Sequence, residues 1–222
     1  MDYYSLTLGA LKMLLEEINK TSEAAVVEEC IEKWQNDKNC TMLGREFAAG
    51  GRMAQFRIDG TSVKDPVTGF WTGQAFTALV AMSTQLSAFE QRGRKTDISF
   101  MRKNFGAANE IIVVSRCNTC KKLFATAFEI DRYISKIVIA KKIVDGMESG
   151  ELIKEVKEIM NAGCDEIDRE RRKAKLRLEN TKVEYIDGFG QLAKCPICGS
   201  KDISEAKLLR SLRENVFVPL SH

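Results

Sequence analysis

The run Ile111-Ile112-Val113-Val114-Ser115-Arg116-Cys117-Asn118-Thr119-Cys120 decides how the second half of this chain is read. Four β-branched residues in a row favour a strand, and the strand leads straight into a C-x-x-C pair. A second pair follows after 74 intervening residues in Cys195-Pro196-Ile197-Cys198-Gly199. Two intervening residues let both sulfurs of a pair face one centre while nearby amides donate to the thiolates. Two such pairs supply four thiolates in a tetrahedron, the arrangement zinc prefers with soft ligands. Cys117, Cys120, Cys195 and Cys198 are therefore expected to hold one structural zinc ion. Iron is the chemical competitor, because its four-thiolate site has the same ligand set. A thioredoxin-type redox pair fits less well, since neither pair opens a helix after a strand of a βαβ unit.

Working outward, Leu123 to Ile130 reads as the hairpin partner of the first strand. Asp131 opens a helical stretch with Ile134, Ile137, Val138 and Val144 on one face, broken at Gly146. Leu152, Val156, Ile159 and Met160 make the next stripe, up to Gly163, and Asp165 to Asn180 continues as a charged helix. Lys182 to Ile186 reads as a strand, Asp187-Gly188 as a turn, and Ser204 to Leu212 as a short final helix. The long gap between the pairs then becomes a helical insertion at about 131–180, tolerable because closure entropy grows only logarithmically with loop length. The expected geometry is an antiparallel helical pair projecting from the small sheet, a candidate docking arm.

The front half reads as helical. Leu8, Leu11, Leu15 and Ile18 form one stripe, and a second helix runs from about Ser22 to Asp37. A short third covers Met42 to Ala49 and stops at Gly50-Gly51. Met53, Phe56 and Ile58 suggest a short strand, and Asp65-Pro66 and Thr68-Gly69 suggest turns. Helical spacing returns from Thr72 to about Gln91. The expected class is α+β: a mainly helical domain over 1–105, then a small antiparallel sheet over 106–222 carrying the helical insertion.

Two resemblances follow from these residues. Ile111 to Ile130 with Lys182 to Ile203 resembles the zinc-ribbon family, in which two hairpin knuckles pinch one zinc. That likeness implies the metal but no activity, since ribbons bind nucleic acid, bind proteins or brace a domain. In front, two helices, the second containing Trp34, precede Gly50-Gly51-Arg52-Met53-Ala54-Gln55-Phe56. This is similar to small uncharacterised bacterial domains with a Gly-Gly-Met-Gly-Ser turn after two helices. Here arginine interrupts the turn and the later glycine is absent. The likeness implies no known reaction.

Bulk properties narrow the function. The 222 residues carry 34 basic and 31 acidic side chains, a net charge of +3, too balanced to imply nucleic acid by itself. The one histidine is His222, which removes Ser-His-Asp and Cys-His nucleophiles and His-ligated catalytic metals. Seven cysteines, four of them in two tight pairs, suit a reducing cytoplasm better than a disulfide framework. No signal peptide or membrane span is expected. Cys30 reads as a small core residue, and Cys40 and Cys164 are candidate reactive thiols with no histidine placed to activate either. Arg169, Arg171, Arg172, Lys173, Lys175 and Arg177 crowd one helix. They suggest a nucleic-acid contact in the alternative reading, or a solvated face paired with neighbouring acids. The favoured function is a cytoplasmic, zinc-braced protein-binding adaptor or a regulatory or immunity-type protein, with no catalytic constellation.

Overall fold

The computed structural model describes residues 2–58, 63, 65–94, 96–105, 111–162, 164–211 and 214–220. Gly163, Leu212 and His222, which figure in the expectations above, lie outside the described residues. The fold is mixed α and β, and it divides into two compact units. One comprises residues 1–107 and 139–163, the other 108–138 and 164–222.

The first unit is helical. It contains α1 (Tyr3–Glu17), α2 (Thr21–Asp37), α3 (Met42–Phe47), α4 (Pro66–Glu90) and α5 (Ile98–Phe105), with α7 (Leu152–Met160). Helix α1 packs against α2, α4 and α7. Its Leu8, Leu11, Leu14 and Leu15 are fully buried, as are Trp71, Leu79 and Leu86 of α4 and Val156 and Ile159 of α7. Removing that apolar area from water drives the packing. Asp2 caps α1 through the Ser5 N–H and accepts the Trp34 indole N–H, tying α1 to α2. Gly51 is required after α3, because a side chain there would collide with the backbone of Arg45 and Glu46. Arg52 then clamps the loop, bidentate to Glu29 at 3.0 and 2.8 Å and bonded to Glu46 at 2.9 Å.

Several local expectations change here. Asp65-Pro66 is not a turn: Asp65 caps α4, accepting from the Val67 and Thr68 N–H groups, and Pro66 is its first residue. Proline suits that position because the missing N–H would have no intrahelical partner. Helix α4 therefore starts six residues before Thr72 and runs through Gly69. Met53 to Gln55 lie in turns and Phe56 to Ile58 have no regular structure, so no strand forms there, and α5 is an additional helix.

The second unit contains β1 (Ile111–Cys117), β2 (Leu123–Thr126), β3 (Glu184–Ile186), β4 (Ile203–Arg210) and β5 (Phe217–Pro219), with helix α8 (Asp165–Asn180). The strand order is β3-β2-β1-β4-β5. The sheet is mixed, not purely antiparallel, because β2 and β3 run parallel. A parallel pair needs a long crossover, and the chain between Thr126 and Glu184 supplies it.

Ser204 to Leu212 was expected to be helical; Ile203–Arg210 is strand β4 instead. Strand β1 has seven residues, of which only Ser115 and Arg116 pair with β2. Its other edge must be covered, and β4 pairs with it from Ile111↔Leu209 to Cys117↔Ile203. Tertiary pairing thus overrides the helix-forming Glu205-Ala206-Lys207-Leu208.

Helix α6 (Ala127–Ser149) contributes its first half to the second unit and its second half to the first. It begins four residues before Asp131. Thr126 and Glu129 explain the early start: the Thr126 N–H donates to Glu129 Oε2 at 2.7 Å, one arm of a capping box. Gly146 does not break α6. It is a close approach, where a Cβ would meet the Leu152 Cα at 2.9 Å. Lys142 nearby is ion-paired with Glu155 and with Glu158 at 3.2 Å. The expected insertion at about 131–180 is thus divided between the units, and α7 packs on α1 and α4 rather than projecting as an arm.

Candidate metal centre

The two C-x-x-C turns are the same structure built twice. The Cys117 N–H donates to Lys122 O at 3.0 Å, and the Cys195 N–H donates to Ser200 O at 2.8 Å. The Lys121 N–H returns to Cys117 O at 2.9 Å, and the Gly199 N–H to Cys195 O at 3.0 Å. Both turns close with a left-handed residue at the equivalent place, Lys121 at φ 63° and Gly199 at φ 70°. Glycine adopts that conformation freely, whereas lysine does so at a cost. The Cys120 N–H also points at Cys117 Sγ, 3.5 Å away.

Strand β1 delivers the first knuckle and the turn to β2 completes it; the second precedes β4. Because β4 pairs along β1 down to Cys117↔Ile203, the two knuckles meet at one end of the sheet. Side chains lock them together there. The Asn118 N–H donates to Asp202 O at 2.9 Å, and its amide Nδ2 to Asp202 Oδ1 at 2.8 Å. Ser204 Oγ donates to Asn118 Oδ1 at 3.0 Å, and Thr119 Oγ1 to Ser200 Oγ at 2.9 Å. The sequence offered no signal for these braces beyond their polar character.

The four sulfurs all lie within 4.8 Å of one another. Cys117 Sγ is 3.6 Å from Cys198 Sγ, and Cys120 Sγ is 3.6 Å from Cys195 Sγ. A tetrahedron with metal–sulfur bonds of about 2.3 Å has edges of about 3.8 Å, so these four cysteines can hold one metal ion. Cys117 and Cys195 are buried with Phe124, and Ile186, Leu192 and Ile203 pack around them. This apolar shell shields the inner side of the centre, a control on solvent access. Cys198 is exposed.

The local electrostatics ask for a cation. The Cys120 N–H, helped by that of Thr119, lowers the Cys117 thiol to about 6. At Cys120 the Lys122 N–H pulls down, but burial and the three crowding sulfurs dominate and push it up to about 11. Cys198 is likewise raised: the Ser200 N–H lowers it, yet burial and its contacts with Cys117 and Cys195 prevail. Four adjacent thiols cannot all ionise unless a positive charge sits among them.

The basic helix is occupied differently. Arg171 grips the buried Asp131 with two bonds of 2.7 Å and reaches Asp168 at 3.1 Å. Lys173 pairs with Glu170 at 2.7 Å, and Arg169 lies 3.9 Å from Glu166. Lys175 sits 4.0 Å over the Tyr185 ring. Arg177 is buried, and its Nη1 finds no hydrogen-bond partner among the described residues. Arg172 alone of the six is exposed with no ion pair among the described residues. The three remaining thiols, Cys30, Cys40 and Cys164, are buried, and burial pushes Cys30 up to about 12. No helix among the described residues is long and apolar enough to cross a membrane. No protein-family model matches the chain, and no curated protein or solved structure matches it either.

Proposed function

We propose that Cys117, Cys120, Cys195 and Cys198 hold one structural zinc ion, and that the protein works by binding a protein partner, as an intracellular adaptor or regulator. The observation that carries the metal reading is the pair of matched knuckles. Their sulfurs converge at tetrahedral spacing inside a braced, partly apolar shell. All four ligand positions are filled by cysteine, so no site stays open for a substrate, which is the pattern of structural rather than catalytic zinc. Ile197, between the cysteines of the second knuckle, is 55% exposed and supports a contact role for that tip. Partnering of Arg171, Lys173 and Lys175 within the fold supports a protein over a nucleic acid, since these side chains are engaged before any phosphate arrives.

Elemental analysis of the purified chain should give one zinc per chain; iron, or a value near zero, refutes the metal reading. Cys195→Ser should destabilise the second unit, because structural metal binding contributes directly to folding. For the partner, pull-downs from the native host with zinc-loaded and chelator-treated chain, each with and without nuclease, separate the readings. A protein retained only by the zinc-loaded chain, and insensitive to nuclease, is expected. Retention abolished by nuclease overturns the protein-partner reading.

A further inference from the structure

Two of the sulfur contacts at the centre run between the knuckles. Cys117 Sγ meets Cys198 Sγ and Cys120 Sγ meets Cys195 Sγ, each at 3.6 Å. A disulfide needs about 2.05 Å, so either cross-knuckle bond requires an approach of roughly 1.5 Å. The turn hydrogen bonds at Cys117 and Cys195 and the Asn118–Asp202 brace hold the two loops face to face. Access is uneven: Cys198 is exposed, Cys120 is half-buried, and Cys117 and Cys195 are buried. An oxidant from solvent therefore meets Cys198 first, and the thiolate across from it is Cys117.

We propose that this centre is a redox-labile metal site, at which hydrogen peroxide links the two knuckles through Cys117–Cys198 and Cys120–Cys195 disulfides and expels the metal. The proposal rests on the metal reading above. In the first step the Cys198 thiolate attacks one peroxide oxygen; a sulfur–oxygen bond forms, the oxygen–oxygen bond breaks, and hydroxide leaves and is protonated to water. The Cys117 thiolate then attacks the Cys198 sulfur; the disulfide forms, the sulfur–oxygen bond breaks, and a second hydroxide leaves as water. Two thiolates are oxidised by two electrons, one peroxide is reduced to two waters, and two protons are consumed. A second peroxide does the same at Cys120 and Cys195. Metal affinity disappears with the thiolates, whereas the new covalent bonds hold the knuckles where the metal held them. Oxidation thus strips the metal without unfolding the sheet, unlike chelation under reducing conditions.

The sequence makes the pairing readable. Trypsin cuts after Arg116, Lys121, Lys194 and Lys201, so one peptide carries Cys117 and Cys120 and another carries Cys195 and Cys198. The zinc content of the untreated full chain is measured first. The chain is then treated with one and with two equivalents of hydrogen peroxide, with released zinc read by a chromogenic indicator. Free thiols are alkylated before digestion and mass spectrometry. At one equivalent the two peptides should be joined through Cys117 and Cys198, with alkyl label on Cys120 and Cys195. At two equivalents the joined pair should carry no label, zinc release should be complete, and the far-ultraviolet circular dichroism should be retained. Peptides each closed on themselves, sulfinic acid at Cys198 without a disulfide, or retained zinc overturns the proposal. An untreated chain without metal overturns the metal reading instead, and its disulfide map still decides the sulfur pairing.

Discussion

Arg171→Met should destabilise the second unit by about 3 kcal/mol, because it leaves a buried carboxylate without its cation. An exposed ion pair contributes about 0–1 kcal/mol, while removing one partner of a fully buried pair costs about 3–5 kcal/mol. Here the Asp131 side chain is 4% exposed and that of Arg171 24%, joined by two bonds of 2.7 Å. The geometry is that of the buried class, and the partial exposure of Arg171 sets the value at its lower end. Methionine keeps most of the apolar stem of the side chain, so the loss isolates the charge. Arg172→Met, at the exposed neighbour, should shift stability by less than about 0.5 kcal/mol. The assay uses Cys164, a buried thiol at the N-cap of α8. Its alkylation, read by mass spectrometry on the zinc-loaded chain, requires α8 to open. A loss of 3 kcal/mol corresponds to roughly a hundredfold rise in the open population and in the labelling rate. Labelling of the Arg171 variant within about threefold of the parent would show that the pair is worth no more than a surface bridge, and the placement of α8 by Asp131 would be refuted. Arg171→Glu is for the same reason an unsuitable probe of nucleic-acid binding, since it disrupts the fold.

Gly146→Ala opposes two effects of known size. Alanine is favoured over glycine in a helix by about 1 kcal/mol, but its Cβ would meet the Leu152 Cα at 2.9 Å and the Glu155 Cγ at 3.0 Å. Glu155 is held by Lys142, so overpacking of about 1–3 kcal/mol should win. Urea unfolding followed by the fluorescence of Trp34 and Trp71, both in the helical unit, should show a lower midpoint; a higher one contradicts the close approach. Metal loading should release protons, because Cys120 and Cys198 are pushed above their ordinary range and enter the site protonated at neutral pH. Zinc affinity should therefore rise with pH. Calorimetric titration at pH 7.5 in buffers of different ionisation enthalpy should give the same sign of proton release in each, and a pH-independent affinity would count against thiolate ligation.

The sequence by itself determined the elements whose information is local. A C-x-x-C spacing encodes its own turn and its own ligand chemistry, so the four sulfurs could be named before any fold was known. The leucine stripe of α1 and the β-branched run of β1 were equally legible, since periodicity and branching act within the element. Two further local signals are present in the sequence. Asp65-Pro66 is a cap followed by a first helical residue, and Thr126-x-x-Glu129 has the capping-box spacing, with the Thr126 N–H on Glu129 Oε2. Other features existed only in three dimensions. Residues 203–210 favour a helix until the open edge of β1 requires pairing along its whole length. Arg171 looks like one of six equivalent cations until Asp131, forty positions away, is buried against it. Gly146 looks like a helix breaker until Leu152 is seen to need its missing side chain. The close approach of Cys117 to Cys198 and of Cys120 to Cys195 belongs to the same group. Each of these depends on a partner distant in the chain, and its energy comes from excluding water or filling an edge once that partner has arrived.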